Sequence, residues 1–223
     1  LHLAILKMAG VPCFYGPALI PSFGEPLGFK YTIDSFLRSV TNTGNTPIVL
    51  EAPTKWSNHF IDATKYGWEH TDRIYQSNEG WVTHFEGFAE GPLLPVNLDT
   101  LLALAGTKYF PDLEGCILLF EEMQAPLDNL ERNLSHLKLL GVFEKIAGLI
   151  VSKPENVNNK GAQFSDIDLL LEIIGEDISY PVISNFDCGH THPMITLQQM
   201  LAIRLTAQAG KEPIITLLEP MVI

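Results

Sequence analysis

The residues best suited to chemistry crowd into Asp187-Cys188-Gly189-His190-Thr191-His192-Pro193, directly after the short β-rich apolar run 180–186. Histidine is the side chain that exchanges a proton most readily near neutral pH. Gly189 permits backbone angles closed to other residues, and Pro193 stops regular structure soon after. A histidine working as general base needs a carboxylate on its other ring nitrogen, to fix the tautomer and balance the imidazolium. Glu121, or its neighbour Glu122, ends an apolar run at 115–122 and is the candidate partner. A nucleophile is not visible: there is no Gly-x-Ser-x-Gly elbow, and Ser152 and Ser184 fall in or near expected strands. The competing chemistry is a zinc site on Asp187, Cys188, His190 and His192, because His-x-His can bind that ion. His59, His70, His84 and His136 supply no matching spacing. In the plainest reading, His192 is a hydrogen-bonded turn residue and Cys188 a small buried hydrophobe. A His–carboxylate pair without a nucleophile also occurs in cores and on surfaces.

The elements that would hold these residues follow from hydrophobic periodicity and its punctuation. Residues 1–10 read as a helix stopped by Gly10, with no capping residue before Leu1. Residues 11–31 form a Pro/Gly-rich connector, 32–40 a short helix with Ile33, Phe36 and Leu37 on one face, and 47–52 a strand. Residues 53–80 carry Trp56, Trp68, Tyr66 and Tyr75 without clean periodicity. They read as a long loop that closes over a ligand or docks its aromatics on the core. A helix is expected at 98–105, a strand at 115–122 and a leucine-striped helix at 126–140. A strand at 146–153 follows, ending at Pro154-Glu155-Asn156, then a helix at 164–174 capped by Ser165 or Asp166. A strand at 181–187 leads to a hairpin of 195–205 with 213–218 around Gly210-Lys211. Strand, helix, strand, helix, strand with short links is a parallel βαβαβ unit in an α/β fold. Ligands bind at the carboxyl edge of such sheets. That edge collects Glu121 or Glu122, residues 153–155 and His190, although the carboxylate and the histidine are about seventy positions apart.

Composition narrows the partners. With 14 Lys+Arg against 26 Asp+Glu the net charge is −12, which repels phosphate backbones, so nucleic acid is not an expected partner. No apolar run reaches bilayer-spanning length and no signal peptide is visible, so neither a membrane partner nor export is expected. Cys13, Cys116 and Cys188 are odd in number and widely spaced, which favours a reducing, cytoplasmic compartment over a disulfide framework.

An ordered series of segments then resembles the LD-carboxypeptidase family of serine peptidases. It runs Leu1-His2-Leu3-Ala4-Ile5-Leu6, Phe14-Tyr15-Gly16-Pro17-Ala18-Leu19, Ser22-Phe23-Gly24-Glu25, Asn97-Leu98, 101–107, Ile117-Leu118-Leu119-Phe120-Glu121, Glu131-Arg132, and Gly189-His190 with Pro193-Met194-Ile195-Thr196-Leu197. The Gly-His-Thr-x-Pro-Met-Ile-Thr-Leu form and the Trp-bearing loop look closest to the microcin C immunity (MccF-like) branch. The resemblance implies a Ser-His-Glu triad with Glu121 and His190 as two members, and a serine whose turn lies just before the segment matching Leu1. It implies that residues 1–31 are the trailing helix and linker of an N-terminal nucleophile domain. Residues 32–223 would then be a swivelling β/β/α-type C-terminal domain. It further implies a homodimer, no cofactor, and substrates that are murein tetrapeptides or peptidyl-adenylate-like toxins. Trp56 or Trp68 would stack on a flat substrate group, and Asn97 would lie by the pocket. Two departures stand out: Pro95-Val96 where the family usually has Gly-Gly, and Gln198 where a proline commonly follows Thr-Leu. The rival functions are a binding or dimerisation module without chemistry, and a zinc hydrolase using Asp187, His190 and His192.

Overall fold

A computed structural model describes residues 1–24, 29–44, 46–62, 64–123, 126–155 and 161–222. Its first half contains α1 (His2–Ala9), β1 (Phe14–Tyr15), a π-helical turn (Leu19–Phe23), α2 (Lys30–Thr41), β2 (Ile48–Val49), β3 (Lys55–Trp56), a 3-10 turn (Trp68–His70) and β4 (Gln76–Ser77). The second half runs β5 (Val82–Phe85), β6 (Gly87–Asn97), α3 (Leu98–Leu102), β7 (Ile117–Glu121), α4 (Leu127–Leu139), β8 (Gly148–Ser152), α5 (Asp166–Ile174), β9 (Val182–Phe186), β10 (Leu197–Gln198), β11 (Leu201–Ala207) and β12 (Ile214–Leu217). One eight-stranded sheet, ordered β2-β12-β11-β6-β7-β8-β9-β5, holds the molecule together. Strands β6 to β9 are parallel, and the flanking strands pair antiparallel.

The parallel strands are apolar at nearly every position because both faces are covered. Leu118, Phe120, Leu149 and Val182 face the side packed by the leucines of α4 and by α5. Ile117, Leu119, Ile150 and Ile183 face the side packed by Met194, Ile195, Leu197 and the β11–β12 hairpin. Helix α4 buries Leu127, Leu130, Leu134 and Leu137, the stripe its spacing predicts. Helix α5 starts in a capping box: Ser165 accepts from Asp168 N, and the Asp168 carboxylate accepts from Ser165 N. The expected α/β class, the unit β7-α4-β8-α5-β9 and the C-terminal hairpin are all present.

Other elements depart from expectation, each for a physical reason. Strand β6, the longest in the sheet, was not anticipated, since Pro92 and Pro95 argue against a central strand. Both prolines sit where no ladder bond is lost. Pro92 pairs with Ala202, whose N–H and C=O turn away from β6 to Glu219 and Leu218. Ladder parity points the Pro95 nitrogen past the end of β11, whose pairing stops at Leu93. Helix α2 is longer than expected and buries Thr32, Ser35 and Ser39, while Leu37 is exposed. Those hydroxyls serve the segment after the histidine turn. Thr32 Oγ1 accepts from Met194 N, Ser35 Oγ accepts from Thr196 N, and Ser39 donates to Thr196 O. An apolar face could not have met those backbone groups. The strand expected at 47–52 shortens to β2, and Ile195 and Thr196 lie outside the hairpin. Glu25, Pro26, Gly28 and Asn156 lie outside the described residues. The expected boundary at 31/32 falls in the first turn of α2.

The segment 53–80 has little regular structure, as expected, yet it is tied down. Strands β3 and β4 pair across its base, and Ser57 forms a two-bond bridge with His192.

Candidate active site

Strand β7 ends on Glu121, whose side chain is 1% exposed, and the turn after β9 delivers His190 opposite it. His190 Nδ1 lies 2.6 Å from Glu121 Oε2. The other carboxylate oxygen accepts from the Tyr15 hydroxyl at 2.6 Å and from Asn97 Nδ2 at 3.0 Å. With Nδ1 pinned, Nε2 is the ring nitrogen left to serve a substrate. The hydrogen bond to Glu121 raises the His190 pKa above its ordinary value, against an opposing effect of burial. Gly189 makes this approach possible. Its φ is +146°, and a Cβ there would lie 2.8 Å from Glu121 Cβ and 3.0 Å from Glu121 Oε2.

The turn is anchored on both sides. Asp187, fully buried, accepts from Lys153 Nζ at 2.7 Å, Trp81 Nε1 at 2.9 Å and Asn78 Nδ2. Lys153, at the end of β8, also donates to Asn185 O and lies over the Trp56 ring. His192 stacks on Phe29 at 4.6 Å and is pushed down to a pKa of about 3 by burial, with Arg73 and His190 adding to the effect. Asp187 and His192 are therefore engaged apart from His190, and among the described residues no three His, Cys, Asp or Glu side chains gather around a metal position. Cys188 is a buried free thiol.

His190 lines a cleft of about 470 Å³ together with Tyr15, Phe60, Ile61, Arg73 and Met194. Two walls, Phe60–Ile61 and Arg73, come from the 53–80 segment. Its tryptophans do not line the cleft: Trp56 packs by Lys153, and Trp68 sits in the short 3-10 turn. Asn97 does not line it either; its side chain caps α3 through Thr100 N and holds Glu121. Pro95-Val96 continues β6 straight into that cap, so the departure from Gly-Gly leaves Asn97 seated on Glu121. Glu122 makes no hydrogen bond to His190; burial, with Asp99 and Glu121 nearby, lifts its carboxyl to a pKa of about 7. Sequence reasoning missed the roles of Tyr15, Lys153 and Arg73, since each acts through a partner remote in the chain. A proline-broken segment such as 11–31 offers no periodicity to aim Tyr15.

The model of the LD-carboxypeptidase C-terminal domain matches residues 90–205, just over half of the 223-residue chain, and spans both Glu121 and His190. The chain belongs to the LD-carboxypeptidase family. Within this family it is 35% identical over 196 residues to the microcin C7 self-immunity protein MccF of Escherichia coli, covering 86% of this chain and 56% of that protein. A Vibrio cholerae protein carrying a carboxypeptidase name is 34% identical over 199 residues, covering 87% of this chain and 57% of its own length. The structure of MccF in complex with aspartyl sulfamoyl adenosine superposes with a TM-score of 0.89 at 29% identity, over all of this chain and 65% of that one. The chain thus spans just over half the length of the curated relatives it matches.

Proposed function

We propose that this LD-carboxypeptidase chain supplies the acid–base half of a serine carboxypeptidase, with His190 as general base and acid and Glu121 as its orienting carboxylate. The observation that carries this is the buried Glu121 carboxylate on His190 Nδ1 at 2.6 Å, with the imidazole lining the cleft. Among the described residues no serine, threonine or cysteine side chain is hydrogen-bonded to His190. We place the nucleophile on a serine of a preceding domain to which residues 1–31 lead, while residues 32–223 carry the pair. The serine oxygen attacks the carbonyl of a C-terminal amide while His190 Nε2 takes its proton. The C–N bond then breaks as His190 returns that proton to the leaving amine. Water, deprotonated by the same nitrogen, hydrolyses the acyl-enzyme, and Glu121 balances the imidazolium in both steps. Backbone N–H groups beside the serine would stabilise the oxyanion.

The substrate class is a small peptide or a peptidyl or aminoacyl nucleotide. The aspartyl sulfamoyl adenosine bound by MccF favours the nucleotide-bearing class. In this reading Trp68, or Trp56, offers a stacking surface for a flat group when the 53–80 segment adjusts, and Asn97 acts through Glu121. The complete protein works as a cytoplasmic homodimer without a cofactor. In the full-length protein, Glu121→Gln should lower turnover of an aspartyl-adenylate analogue by about 10⁴-fold and His190→Ala by about 10⁴–10⁶-fold. Near-normal turnover in a folded variant would remove that residue from the mechanism.

A further inference from the structure

We infer that Tyr15 is a positioning residue of the acid–base pair: with Asn97, its phenol holds Glu121 so that a single carboxylate oxygen faces His190. The inference rests on the reading of His190 as general base. Glu121 is 1% exposed, and every group hydrogen-bonded to it is uncharged apart from the imidazole itself. Tyr15 and Asn97 take up one oxygen, at 2.6 Å and 3.0 Å, and leave the other to His190. Burial and the neighbouring Glu121 charge raise the phenol pKa far above its ordinary value, so Tyr15 remains a donor throughout the working pH range.

The phenol has been built into place. Strand β1 pairs with β10, setting Tyr15 opposite Leu197. Gly16 presses on Thr196, where a Cβ would come within 2.9 Å of Thr196 Cγ2. Gln199, 1% exposed, accepts from Cys13 N and reaches His2 Nδ1 at 2.6 Å. The His2 ring in turn sets its edge against Tyr15, with centroids 5.9 Å apart. A phenol fixed from the chain's opposite end, aimed at a buried carboxylate, exceeds what core packing requires.

The consequence is electronic as well as geometric. A donor on Oε1 draws charge away from Oε2, weakening the pull of Glu121 on the imidazole proton. Among the described residues, the other charged or titratable groups by the pair are Glu122 just after β7, Glu155 after β8, Cys188 and His192 in the same turn and Arg73 in the cleft. None of these is altered by Tyr15→Phe, an isosteric loss of one oxygen.

In the full-length enzyme, Tyr15→Phe should move the acid limb of kcat/KM to higher pH by roughly 0.3–0.7 unit, the part of one hydrogen bond's worth passed on to His190. The loss would be larger at pH 6 than at pH 8, a signature that a packing defect lacks. An acid limb at its wild-type position in an active Tyr15→Phe variant overturns the inference. The wild-type protein offers a test independent of the variant's folding and of turnover. The Tyr15 Cζ resonance should shift with the same pH midpoint as the His190 imidazole, because both bond one carboxylate. A Cζ resonance flat through the His190 titration also overturns it. Full activity in His190→Ala would instead sink the underlying reading, which keeps the two failures apart.

Discussion

Replacing Gly189 by alanine probes the site at the point where backbone and carboxylate meet. The new methyl would stand 2.8 Å from Glu121 Cβ, closer than folded proteins tolerate, and a tight 3.1 Å from Glu121 Cγ. Glu121 cannot retreat without loosening its bonds to Tyr15, Asn97 and His190. The φ of +146° is also closed to an L-residue, at a cost of about 1–2 kcal/mol. Overpacking against a fixed neighbour adds about 1–3 kcal/mol, and the stiffer unfolded chain returns roughly 0.4–1 kcal/mol. The net is a loss of about 3 kcal/mol, which for a chain of this size lowers Tm by roughly 6–12 °C. Differential scanning calorimetry reads the shift on the 223-residue chain, and turnover of the full-length protein reads the displaced pair. Gly189→Ala with wild-type Tm would refute the geometry, whatever its turnover.

Two further predictions concern the anchors of the turn. His192, held down to a pKa of about 3 in the fold, binds a proton more readily once unfolded. Its contribution to stability therefore falls as pH drops below the ordinary histidine value of about 6.5, by at most about 2 kcal/mol at pH 5. His192→Phe keeps the stack on Phe29 and should flatten the stability profile between pH 7 and 5 in urea titrations; an identical slope would contradict the assignment. Lys153→Met leaves Asp187 buried without its cation, which should cost about 3–5 kcal/mol by chemical denaturation, and a loss under 1 kcal/mol would show the charge to be otherwise satisfied.

How far the chain could be read without its structure depends on the range of the interaction concerned. Local periodicity suffices for α4, where every third or fourth residue is leucine, and for α5, whose cap Ser165 and partner Asp168 are neighbours. The apolar runs of β7, β8 and β9, separated by helices, determine a parallel unit and with it the rim that unites Glu121 and His190. Strand β6 escaped because its prolines are harmless only when the bonding parity of β11 and β7 is known. The serine and threonine face of α2 escaped because its partners are backbone groups 157 to 162 positions away. Sequence alone thus brought Glu121 or Glu122 to one edge with His190, and the family resemblance favoured Glu121. Tertiary structure decided that Oε2 meets Nδ1, that Tyr15 and Asn97 hold the other oxygen, and that Phe60, Ile61 and Arg73 wall the cleft. Hydrogen bonds act over about 3 Å in space and are indifferent to separation along the chain, so no window of sequence contains them.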